Sequence, residues 1–134
     1  MAATGKVIKV LPHFLDKAGR HSLAPSLYER DAYQAYLRSH PEERSGIRFD
    51  VQWKNKGAAW DDLKVRVELR GMARGDLPEE RVIEQIVRPC GWFSKWNGLK
   101  LTGEDYLAFQ EVTAWRVTLW EGEKLLSEQT SFLW

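Results

Sequence analysis

Residues 46–54, GIRFDVQWK, constrain what this chain can become more than any other stretch. Ile47, Phe49, Val51 and Trp53 alternate with Arg48, Asp50, Gln52 and Lys54, and a period of two puts one set on each face of a strand. Residues 63–70, LKVRVELR, repeat the pattern, with Leu63, Val65, Val67 and Leu69 inward and Lys64, Arg66, Glu68 and Arg70 outward. Strict alternation requires a sheet with one wet face, the habit of antiparallel sheets, whereas buried parallel strands read as continuous apolar runs. The intervening NKGAAWDD carries the Asn and Gly of a connection, so the two runs are expected as paired core strands.

Further β-rich runs cover residues 7–15, 81–88, 112–121 and 124–133. The last two flank EGE at residues 121–123, and Gly in a very short connection signals a hairpin. A two-residue loop would pair Leu119 with Leu126; a three-residue loop would pair Arg116 with Glu128. One segment departs from this pattern. PSLYERDAYQAYLRSHP, residues 25–41, opens with Ser26 and Glu29 in capping-box spacing and runs without glycine to Pro41. It predicts one helix of about three turns, with Tyr28, Ala32, Ala35 and Tyr36 on one face and Tyr33 and Leu37 beside them.

About six or seven short strands with regular turn signals and one early helix predict a mainly β protein, an antiparallel two-sheet β-sandwich with the helix inserted between its first two strands. Segments 46–70 and 112–134 resemble the paired core strands of immunoglobulin-like or fibronectin type III-like domains, over about two thirds of the chain. The resemblance implies a fold only. The helix and the lack of a Cys, Trp, Cys framework argue against the immunoglobulin family proper. No repeat or linker interrupts residues 1–134, which are expected to form a single domain.

Charge narrows the partners. Twenty basic residues stand against nineteen acidic ones, so nothing marks a nucleic-acid binder, and no apolar run is long enough for membrane insertion. The opening MAATGKVIKV lacks an apolar signal segment. A single cysteine, Cys90, excludes an intrachain disulfide and any site needing several thiolates, but leaves the compartment open.

Candidate chemistry is sparse. His13, His21 and His40 have irregular spacings and read as surface or capping residues, not as metal ligands. Cys90 follows Pro89 outside any nucleophile signature. The acidic neighbours Asp61/Asp62, Glu79/Glu80 and Glu104/Asp105 read as turn and strand-edge charges, because adjacent residues of an extended chain face opposite ways. With no nucleophile and base constellation, no cofactor motif and no metal motif, the chain is expected not to be an enzyme; a hydrolase of unidentified type is the last alternative. Arg48, Lys54, Lys64, Arg66 and Arg70 would form a basic patch if their strands were neighbours, but Asp50 and Glu68 share the faces and read as partners in cross-strand ion pairs.

Seven tryptophans remain to be placed. Trp53 and Trp115 are in phase with apolar neighbours and are expected in the core. Trp60 closes one end, Trp120 covers the face opposite Trp115, and Trp134 either packs or hangs free. CGWFSKWNGLKL, residues 90–101, is different, because Trp92, Phe93 and Trp96 lie between glycines outside any periodic run. Either Trp92 or Phe93 plugs the open end of the sandwich while Trp96 lies flat beneath the loop, or the rings form a recognition platform. The entropy of ordering a long connection favours the plug. The platform supplies the only candidate site: Trp92, Phe93, Trp96 and Asn97, with Lys95 and Lys100 nearby. The expected function is a non-enzymatic binding or protein-interaction module for an unknown protein or glycan, with a carbohydrate-binding module using these tryptophans as the alternative.

Overall fold

Alternating segments close around one core in the structure, a computed structural model that describes residues 4–57, 63–89 and 93–134. Strand β1 is Thr4–Asp16, β2 Arg44–Lys56, β3 Leu63–Met72, β4 Pro78–Ile86, β5 Lys95–Thr102, β6 Glu111–Glu121 and β7 Lys124–Thr130. All pairings are antiparallel, in a three-stranded sheet β1-β2-β5 and a four-stranded sheet β4-β3-β6-β7. Strand accounts for 58% of the chain against 17% helix, which makes the fold mainly β.

The inward sets predicted for residues 46–54 and 63–70 are the buried ones. Phe49, Val51, Trp53, Leu63, Val65 and Val67 are fully enclosed and join Val117 and Leu119 of β6 and Leu99 and Leu101 of β5 in one cluster between the sheets. Burial of this much apolar surface supplies the main driving force of folding. Trp53 is also tied down at its polar end, its Nε1–H donating to Asn97 Oδ1 at 2.8 Å. Trp115 packs its edge against Phe49 with ring centroids 6.0 Å apart.

The structure departs from the sequence reading in four places. First, β2 and β3 are not paired: they lie in different sheets. Two fully half-buried strands satisfy their inner faces equally well across a core as side by side, so alternation alone does not choose. Second, residues 95–102 are not loop but strand β5, paired along β2 from Gly46↔Thr102 to Trp53↔Lys95.

Third, the helix exists, α1 at Leu27–Ser39 with Ser26 accepting from the Glu29 amide, but it buries Gln34 and Leu37. Tyr28 is 79% exposed, and Ala32, Ala35 and Tyr36 share the wet side. Hydrogen bonds dock α1. Gln34 accepts from the Phe14 amide at 2.7 Å and donates to the carbonyls of Phe14 and His21, both at 2.9 Å. A carboxamide paired with a backbone amide and carbonyl stands in for a neighbouring strand and blunts the open edge of β1. Tyr33 donates to Asp16, and that bond, with burial, pushes the phenol up to about 12.

Fourth, the C-terminal hairpin has the two-residue loop, Glu121↔Lys124 around Gly122 at φ 55°, but a register shift between Leu119 and Trp120 pairs Leu119 with Ser127. Neither pairing drawn from the sequence occurs, although Arg116 still reaches Glu128 diagonally at 2.7 Å. A short second helix, α2 at Gly103–Leu107, follows β5 and turns Tyr106 into the core.

Candidate functional site

Strand register fixes which side chains share the outer face of the three-stranded sheet. Along β2, Arg48, Asp50, Gln52, Lys54 and Lys56 point away from the core. Their partners on β1 are His13, Leu11, Lys9, Lys6 and Thr4, and on β5 Lys100, Gly98 and Trp96 stand beside Arg48, Asp50 and Gln52. Lys6, Lys9, Lys54, Lys56 and Lys100 are all exposed, and Asp50 is the sole carboxylate at these positions. Among the described residues, none of these lysines has an ion-pair partner.

Trp96 is 49% exposed on this face, and Phe93, just before β5, is 81% exposed. Neither plugs the end of the sheets. Ser94, between them, accepts from Gln52 Nε2 at 2.9 Å. Asn97 points the other way. It accepts from Trp53 and donates to Gln85 Oε1 at 3.0 Å, pinning the edge of β5 to β4. Phe93 and Trp96 are therefore both exposed, Trp96 on the outer face of β5, and Asn97 belongs to the join between sheets. Trp92, Cys90, Trp60, Asp61 and Asp62 lie outside the described residues.

A charged cluster closes the other end of the face. His13 donates Nδ1–H to Asp50 Oδ2 at 3.0 Å, and Arg48 donates to the same oxygen at 3.1 and 3.2 Å. Burial pushes the Asp50 carboxyl up, but the bond from His13 and the Arg48 charge outweigh it and hold it below the ordinary carboxylate range. His21, from the segment after β1, lies over His13 with ring centroids 5.1 Å apart and accepts from Arg48 at 3.1 Å. Burial, with the Arg48 charge, holds His21 below its usual value, in keeping with a neutral acceptor.

Sequence reasoning placed these histidines on the surface or at caps. His13 is instead 8% exposed and paired, and His40 does cap α1, with Nδ1 against the Tyr36 carbonyl at 2.7 Å. An outward-facing His opposite an Arg, two residues from an Asp on the next strand, is the signal that could have found the cluster once register was known. An oriented His and Asp pair is the geometry of a general base. Here the imidazole is enclosed beneath His21, and among the described residues no hydroxyl is bonded to it.

The ligand atoms of His40, Glu42 and Glu43 lie within 4.8 Å of one another. Tyr36 engages both His40 and Glu43, so these groups hold the 3-10 turn Pro41–Glu43 against the helix end. A depression of about 490 Å³ also opens between β1, β6 and α1 over Phe14, Ile47 and Trp115, without an exposed aromatic ring.

No protein-family model matches the chain, and neither a curated protein nor a solved structure matches it.

Proposed function

We propose that this protein is a non-enzymatic binding module with a fibronectin type III-like arrangement, and that its ligand sits on the outer face of β1, β2 and β5. Three strands facing four, with the chain changing sheets after β2, β4 and β5, support that arrangement. The observation that carries the function is Trp96. A large amphipathic ring, half exposed on a regular strand beside a hydrogen-bonding glutamine and unpaired lysines, offers a planar apolar surface with polar groups at its edge, on which a ligand ring can stack. A glycan is favoured over a protein surface by what surrounds the ring. Gln52 and Asp50 offer acceptors in the adjacent row, and Gly98 leaves the space above Asp50 open.

The test is a pair of truncations, Trp96→Ala and Phe93→Ser, screened with the parent protein against a glycan array and a peptide array. The expected result is an unchanged melting temperature and loss of the parent's hits with Trp96→Ala. Hits that survive both truncations would place the ligand elsewhere.

A further inference from the structure

The rows of this face have a charge pattern that a neutral ligand does not need. Lys6 stands directly opposite Lys54, and Lys9 comes next along β1. Like charges in cross-strand register cost stability, and no acidic neighbour among the described residues relieves them. On the other side of the ring, Lys100 follows Trp96 and Gly98 along β5. A Cβ at Gly98 would stand 3.2 Å from Asp50 Oδ1 and 3.4 Å from Arg48 Cδ, so the glycine opens a gap with one carboxylate oxygen at its floor. The other oxygen, Oδ2, is already taken by His13 and Arg48.

We infer that this face binds an acidic polysaccharide, a chain of pyranose rings bearing carboxylates, with one ring stacked on Trp96, hydroxyls donating to Asp50 Oδ1 and Gln52, and carboxylates lying against Lys6, Lys9, Lys54 and Lys100. The inference rests on the assignment of this face as the working surface and adds the ligand's chemistry. Lysines suit carboxylates spaced along a flexible chain, since each is a mobile point charge, and the summed positive field draws such a chain to the sheet. Single-stranded nucleic acid fits less well. Its binders align several rings along a basic track, whereas among the described residues of these three strands Trp96 is the one exposed ring.

The experiment titrates the full chain with oligogalacturonate, with a neutral oligogalactan and with oligo-dT, by calorimetry. The variants are Trp96→Ala, Lys54→Glu and, on the opposite sheet, Lys64→Glu, each checked by a thermal melt; Lys54→Gln replaces Lys54→Glu should the latter fail to fold. Oligogalacturonate is expected to bind, to weaken about tenfold or more with Trp96→Ala and with Lys54→Glu, to be unaffected by Lys64→Glu, and to weaken on raising salt from about 0.05 to 0.5 M. Preference for the neutral galactan or for oligo-dT, still dependent on Trp96, would overturn the acidic-glycan chemistry while leaving the face as the site. Oligogalacturonate binding indifferent to Trp96 and Lys54 would overturn the face as well. Absence of binding to oligogalacturonate would likewise overturn the ligand class, and the array screen with Trp96→Ala would then decide the face separately.

Discussion

On the four-stranded sheet the outer face answers each cation with an acid. Arg66 lies 3.3 Å from Glu68, Lys64 3.5 Å from Glu84 and Arg70 3.3 Å from Glu80, while Arg116 spans Glu68 at 3.5 Å and Glu128 at 2.7 Å. The terminal ring, Trp134, is covered by the Arg70 guanidinium 3.7 Å from its centroid. On the three-stranded sheet lysine faces lysine, and Trp96 has no such cover among the described residues. The central strands of the two faces, β2 and β3, carry the same alternation and pack on one core, so folding does not require the difference. A sheet that only needed to stay soluble is well served by the paired face; the unpaired one keeps charge and aromatic surface available to something else.

The largest expected effect tests what the two sheets have in common. Trp53→Ala removes a ring buried between them together with the bond to Asn97, and should cost about 3–5 kcal/mol in urea melts; a loss under about 1 kcal/mol would mean the layers are held by something other than this core. Next is Glu68→Gln, which deprives Arg66 and Arg116 of a shared partner and should destabilise by about 0.5–1 kcal/mol at low salt.

A pH effect should separate the faces further. His21 titrates below its ordinary 6.5 in the folded protein, so its contribution is fully present above pH 6.5 and is lost as pH falls through the lower folded value. Melts from pH 7 to pH 5 should show falling stability, and His21→Asn should flatten that slope; an unchanged slope would remove His21 from the cluster's energetics. The smallest effect carries the opposite sign. Lys54→Gln should stabilise by about 0.2–0.5 kcal/mol at low salt by relieving Lys6, and the gain should fade in high salt. Destabilisation by Lys54→Gln would show that the two faces are not different in kind.

Which of these features the sequence disclosed follows from what periodicity encodes. Residues 47–54 of β2 and 63–70 of β3 were legible because every inward position is apolar and every outward one polar. Ser26 with Glu29 marked the start of α1 for an equally local reason. Strand β5 was hidden, because its inward set is Asn97, Leu99 and Leu101 and its outward set Trp96, Gly98 and Lys100, so a polar residue faces the core and a ring faces water. The same inversion hid the placement of Trp96, named from sequence as a loop residue, since an outward ring on a strand breaks the pattern by which strands are recognised. Gln34 misdirected the helix face in the same way, buried for its hydrogen bonds and not its apolarity. Sheet membership of β2 and β3 was not legible at all, because one alternation serves both arrangements.

The most direct measurement is an amide correlation spectrum of isotopically labelled protein titrated with oligogalacturonate. Shifts should gather on Lys6, Lys9, Gln52, Lys54, Trp96, Gly98 and Lys100, with the Trp96 indole among the most perturbed signals, while Arg66, Arg70, Arg116 and Trp134 stay still. Shifts centred on the paired face around Arg70 and Trp134, or spread evenly over both, would contradict the assignment of the three-stranded sheet as the surface that works.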